Sequence, residues 1–146
     1  MKRFARVSWE GNAKDGRGMI TSQSTILNHT KYSYTSRFAN SIGTNPEELI
    51  ASAYAGCFTM QLVLNLNGEG CYPDNIDTRC ELYYDTDKNQ ITNLHLSVSA
   101  VVPGIDNEML YRIVNETKSN CPTSKILKTT ITCDAKLNKE TLTPYL

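Results

Sequence analysis

From Leu49 to Leu66 apolar residues run almost all the way round a helix, and no other feature constrains the chain as much. A helix of that kind is buried in a core or in an oligomer rather than laid on a surface. Its start is well marked. In Thr44-Asn45-Pro46-Glu47-Glu48, Asn is a good N-cap, Pro is favoured at the first helical position, and acids suit the positive end of a helix. The helix is expected to run to about Leu66 and to stop before Gly68 or Gly70. No uninterrupted apolar run is long enough to span a bilayer, so the expectation is a helix without a membrane.

The segments on either side read as strands. Phe4, Val7 and Trp9 mark a first one with irregular alternation, and Gly11-Asn12 and Asp15-Gly16 supply turns. Met19 to Thr21, Thr25 to Leu27 and Tyr32 to Thr35 are expected as further short strands of a meander. After the helix, Thr78 to Asp85 is one strand. Leu94, Leu96, Val98, Ala100 and Val102 alternate along the next, with a hairpin turn within Tyr83–Gln90. Asp106 can cap a helix that puts Met109, Leu110, Ile113, Val114 and Thr117 on one face. A short helical segment is expected after Cys121-Pro122, then a last strand with Ile131, Cys133, Ala135 and Leu137 on one face. Strand blocks broken by separate helices indicate an α+β fold with antiparallel sheets around the central helix.

A chain of 146 residues suits one domain, 1–146, with 138–146 as a C-terminal tail of no recognisable pattern. Basic and acidic side chains balance at 15 each, which gives no sign of a nucleic-acid-binding surface. The basic N-terminus, Met1 to Arg6, is not followed by an apolar core, so it does not read as a secretory signal and a cytoplasmic protein is expected. Five cysteines, an odd number without a signal, argue against a secreted disulfide framework. No Cys-x-x-Cys pair occurs, and His29 and His95 lack metal-ligand spacing, so neither a metal nor a cofactor is expected.

Two cysteines sit in unusual settings. Cys57 lies mid-helix among Ala53, Ala55 and Gly56, whose small side chains can leave its sulfur reachable. Cys121 precedes Pro122; with Pro122 at the first helical position, Cys121 is the N-cap, where free N–H groups favour a thiolate. The alternative is that each is simply a small buried hydrophobe. That bland reading is preferred for Cys80, which alternates with Leu82 and Tyr84, and for Cys133; Cys71 follows Gly70 in a loop open to solvent.

At this point a pattern emerges. Gly43 to Ile50, followed by Ala53-Tyr54-Ala55-Gly56-Cys57-Phe58, resembles the central helix of the OsmC/Ohr family, the osmotically inducible protein C and organic hydroperoxide resistance proteins. Asn120-Cys121-Pro122-Thr123-Ser124 resembles the family's second cysteine motif. Val102 to Asp106 and Trp9-Glu10-Gly11 look like the OsmC branch, whereas Tyr54 is more like the Ohr branch. The resemblance implies a cysteine-based peroxidase that reduces organic hydroperoxides, with Cys57 as the attacking thiol and Cys121 as its resolving partner. It further implies recycling by a dithiol, dihydrolipoamide or a lipoylated protein, and an intertwined homodimer.

A mid-helix Cys57 gets no help from a helix end, so a cation is expected beside it. Arg37 matches the OsmC-branch arginine, and Arg17 is the alternative because Ohr relatives carry theirs nearer the N-terminus. By motif match Glu47 would orient Arg37. Two registers are open: Thr44 caps and Glu47 closes a capping box, or Asn45 caps and Glu48 takes that role, leaving Glu47 free; the Pro46 preference favours the second. Glu47 and Cys57 are ten residues apart, about 15 Å of helical rise, which one arginine cannot bridge within one chain. If both serve one site, Glu47 comes from a second subunit, hence an obligate homodimer. Two other readings stay open: a redox sensor or stress-response binding protein without efficient turnover, and a structural dimer with incidental cysteines.

Overall fold

The computed structural model describes residues 1–139. Most of the tail Asn138–Leu146 therefore lies outside the described residues. The chain forms two compact units, Met1–Leu49 and Ile50–Leu146.

The first unit holds a three-stranded antiparallel meander, β1 (Ala5–Glu10), β2 (Arg17–Ser22) and β3 (Thr30–Tyr32). Residues 25–27, expected as a strand, form a turn instead. Thr25 has φ 60°, outside extended geometry, and its N–H donates to the Ser22 carbonyl at 2.9 Å. Tyr32 to Thr35 is also not one strand: β3 ends at Tyr32 and a short helix α1 (Tyr34–Phe38) begins. Its N-cap is Ser33, whose hydroxyl accepts from the Ser36 N–H at 3.0 Å, while the Ser36 hydroxyl accepts from the Ser33 N–H at 2.9 Å. This is a capping box with serine in the place usually held by Glu or Gln.

Helix α2 (Pro46–Gly68) starts as expected. The Glu48 N–H donates to Asn45 Oδ1 at 2.8 Å, so Asn45 is the cap, and the Glu48 carboxylate accepts from the Thr44 hydroxyl at 2.6 Å. Just upstream, Gly43 has φ +145°, and a Cβ there would meet the Lys31 carbonyl at 2.9 Å, so this approach requires glycine.

In the second unit β4 (Asn75–Asp85) and β5 (Gln90–Val101) form the expected hairpin, and β6 (Thr130–Leu137) adds to β5 in parallel, from Asn93↔Thr130 to Ala100↔Leu137. Parallel strands need a long crossover. Helices α3 (Asn107–Asn120) and α4 (Pro122–Ile126) supply it. Asp106 caps α3 by accepting from the Met109 N–H at 2.8 Å.

The core joins three apolar faces. Tyr54, Phe58, Leu62 and Leu66 form an i,i+4 stripe on α2; Leu94, Leu96, Val98 and Ala100 are the inward face of β5; Leu110, Ile113 and Val114 come from α3. The burial of α2 is thus one-sided within the chain, and Met60 and Leu64 remain 70% and 57% exposed. By length and composition α2 is long and apolar enough to cross a membrane, which the count of uninterrupted apolar residues did not reveal. Polar residues on its flank are engaged in the fold: Asn65 donates to the Thr117 hydroxyl of α3 at 2.9 Å, and Gln61 donates to Asn65 Oδ1 at 3.0 Å.

Candidate active site

Cys57 and Cys121 are 64 positions apart in the chain, yet their sulfurs lie 3.1 Å from each other as free thiols. A disulfide bond is about 2.05 Å long, so roughly 1 Å of approach would close one. Position 57 falls on the flank of the buried α2 stripe, which leaves its side chain half-buried and in contact with the core. Cys121 is fully buried. It ends α3, where its N–H donates to the Thr117 carbonyl at 2.8 Å, and it is also the N-cap of α4, whose first helical residue is Pro122.

The two thiols differ in acidity. Burial pushes the Cys57 thiol up, but hydrogen bonds from the Thr123 hydroxyl, the Cys121 thiol and the Thr123 N–H outweigh it and leave the group more acidic than an ordinary cysteine. Burial pushes Cys121 up, and the role of donor to Cys57 pushes it further; the N–H groups of Ser124 and Thr123 oppose this without reversing it. Of the two thiols, Cys57 is therefore the one that ionises first, with Cys121 as its hydrogen-bond donor. This corrects two expectations. The first turn of α4 donates to both sulfurs, but only at Cys57 is the net shift toward the thiolate. And Cys57, though mid-helix, does receive help from a helix end, that of another helix.

A pH titration of alkylation should show the asymmetry. Iodoacetamide labelling of Cys57 is expected to rise with a midpoint below that of a free-cysteine peptide, because the thiolate is the reactive form. Cys121 should label only at higher pH. Equal midpoints for the two residues, read by peptide mass spectrometry, would remove the assignment of charge to Cys57.

In the first unit, Arg37 and Glu47 form a two-pronged ion pair. Arg37 Nη2 lies 2.7 Å and Nε 3.0 Å from Glu47 Oε1, and Nε is 3.2 Å from Oε2. Local structure brings them together. Arg37 sits in the last turn of α1, and Ser36 beside it is buried and donates to the Thr44 carbonyl at 2.8 Å, which ties α1 to the start of α2. Because Asn45 and Glu48 handle the capping, Glu47 is left for the arginine. The guanidinium also lies over the Phe38 ring, 4.9 Å from its centroid. Beside it opens a cavity of about 320 Å³ walled by Trp9, Tyr32, Tyr34 and Phe38. Arg17, the alternative, opens β2 opposite Glu10.

The remaining cysteines and histidines have structural settings. Cys80 and Cys133 flank Leu96 across the sheet, and burial pushes each thiol up to about 11. Cys71, expected in the open, is half-buried against the core. His95 is on β5 and bonds the Thr132 hydroxyl at 2.8 Å, whereas His29 precedes β3.

Sequence reasoning missed two residues at the thiol pair. Thr123 is the double donor to Cys57, and Tyr54 bonds the Ser124 hydroxyl at 2.9 Å. The signal for Thr123 was its place one residue after a Pro at the first helical position, where an N–H is free to point at a ligand; nothing local marked Tyr54.

The OsmC-like protein family model matches residues 38–136. The chain is also 41% identical over 134 residues to peroxiredoxin OsmC of Escherichia coli (strain K12), covering 90% of this chain and 94% of that one. It belongs to the OsmC family. The Shigella flexneri peroxiredoxin OsmC matches to the same extent. Among solved structures, the organic hydroperoxide resistance protein OhrB of Bacillus subtilis superposes with a TM-score of 0.62 at 24% identity, covering 92% of this chain and 98% of that one. An OsmC-like protein of Vibrio cholerae reaches 0.72 at 12% identity, covering 93% and 99%. At those identities the likeness speaks for the OsmC fold alone. The curated relatives place the chain in the OsmC branch, and a peroxidase or redox role is that of the family.

Proposed function

We propose that this OsmC-family protein is a peroxidase that reduces organic hydroperoxides to alcohols through Cys57 and Cys121. The observation that carries the reading is the 3.1 Å sulfur pair in which the more reachable thiol is the more acidic. The names of the relatives add to it, since one is a peroxiredoxin and another an organic hydroperoxide resistance protein.

The Cys57 thiolate attacks the outer oxygen of the hydroperoxide. The O–O bond breaks, and its electron pair leaves with the inner oxygen, which takes a proton and departs as the alcohol. Cys57, oxidised by two electrons, becomes a sulfenic acid. The Cys121 sulfur attacks it, the S–S bond forms, and the hydroxyl leaves as water. A dithiol of the dihydrolipoamide type, free or protein-borne, then reduces the disulfide by two exchange steps and is itself oxidised to a disulfide.

Arg37 and Glu47 belong to the same reading as the charged half of the site. The guanidinium stabilises the sulfur anion and aligns the peroxide, and the carboxylate fixes the guanidinium's plane. With about 15 Å of helix between Glu47 and Cys57, that half comes from a second copy of the chain. The exposed Met60 and Leu64 on α2 and Phe4 and Val7 at β1 supply apolar surface for such a homodimer to cover.

The test is multiple turnover of cumene hydroperoxide with dihydrolipoamide, followed by peptide mapping of the oxidised protein. Sustained consumption, with a Cys57–Cys121 disulfide as the trapped form, is the expected result. One equivalent consumed and no recycling would turn the reading to a sensor; no consumption would reject it.

A further inference from the structure

We propose that Tyr54 and Ser124 are positioning residues, whose hydrogen bond sets the register in which the Cys121 turn meets α2 so that the two sulfurs can join. The inference rests on the disulfide chemistry proposed above and adds two residues to it.

The geometry is a pair of matched contacts. On α2, Tyr54 and Cys57 are three residues apart and so share a face. Across the Cys121–Pro122 corner, Cys121 and Ser124 are also three apart. Tyr54 meets Ser124 at 2.9 Å and Cys57 meets Cys121 at 3.1 Å. The contacts around the sulfurs cluster at the first turn of α4. The Tyr54–Ser124 bond adds a second point of attachment, displaced from the sulfurs, that limits rotation of the helix about them.

Helix α4 needs such a fixture. It has five residues, far fewer than a helix needs to hold itself together. Its first turn carries the donors: the Thr123 N–H and hydroxyl serve Cys57, and the N–H groups of Thr123 and Ser124 serve Cys121. A shift of Ser124 therefore moves both the charge-stabilising donors and the resolving sulfur. The other end of the bond is rigid. The Tyr54 ring is fully buried and stands edge-on to Phe58, with centroids 6.4 Å apart. Burial pushes its phenol up to about 12, so the hydroxyl keeps its proton throughout the range in which Cys57 works. A phenylalanine would fill the same space; the hydroxyl is what reaches α4.

The experiment compares Tyr54→Phe and Ser124→Ala with the wild type, well below their melting temperatures. Reduced protein is mixed with one equivalent of cumene hydroperoxide, and disulfide formation is followed by quenching and mass spectrometry, with dimedone to trap sulfenic acid. Loss of one hydrogen bond's worth of register should slow the disulfide step about three- to tenfold. Cys57 sulfenic acid should accumulate, and the midpoint of Cys57 alkylation should move to higher pH. Ser124→Thr, which keeps a hydroxyl, should restore both. Wild-type disulfide rates and an unchanged alkylation profile in both variants would overturn the proposal, as would slower consumption without sulfenic acid accumulation. If the wild type itself forms no Cys57–Cys121 disulfide, the chemistry underneath is wrong and the positioning role falls with it.

Discussion

Cys57→Ser is expected to lower the rate of hydroperoxide reduction by at least about a thousandfold, to the level of unselective thiol chemistry. The serine hydroxyl does not ionise near neutral pH, so the donors of Thr123 that favour a sulfur anion have nothing to stabilise. Three of the other four cysteines are poorly placed to substitute: Cys121 is fully buried, and burial raises Cys80 and Cys133 to about 11, where little thiolate exists at neutral pH. Cys121→Ser gives the contrasting result. The first equivalent of peroxide should still be consumed, but the product should stop at a Cys57 sulfenic acid. Stopped-flow consumption with mass spectrometry of the product distinguishes the two. Undiminished turnover by Cys57→Ser would end the assignment.

Phe58→Ala should produce the largest loss of stability. Phe58 is 0% exposed, one turn from Tyr54 and Leu62 in the stripe that joins α2 to β5 and α3. Removing a buried aromatic ring costs about 3–5 kcal/mol, because transfer energy and a residual cavity add. For a chain of this size that corresponds to a drop in melting temperature on the order of 10–20 °C. Met60→Ala, on the same helix but 70% exposed, is the control. It should leave the folding of a single chain almost unchanged and, in the proposed homodimer, weaken association, seen as a concentration-dependent melting temperature. A similar loss in both variants, independent of concentration, would mean that the buried stripe is not what holds the second unit together.

Legibility in the sequence followed the range of the interactions. The start of α2 was readable because Asn45, Pro46 and Glu48 act on their own neighbours, and the choice of Asn45 as cap left Glu47 available for Arg37. The clean alternation of Leu94 to Ala100 and the face of α3 were readable for the same reason. Helix α1 was hidden by composition: Tyr32 to Thr35 looks like strand, and serine at the third position of its capping box is a weak signal. The turn at Thr25 was hidden because a β-branched residue rarely takes positive φ. The family resemblance carried the choice of Cys57 and Cys121 over the other three thiols. The source of the acidity of Cys57 was beyond a local reading, because Thr123 lies 66 positions away and reaches it only through the crossover from β5 to β6.

Under the proposed dithiol cycle, the complete burial of Cys121 would give regeneration a direction. An incoming thiolate would meet the sulfur of Cys57 first, because the other sulfur has no exposed surface. The mixed disulfide would then form on Cys57, and Cys121 would leave inward as a thiolate to be reprotonated. Such one-way access would confine traffic with the outside to a single atom.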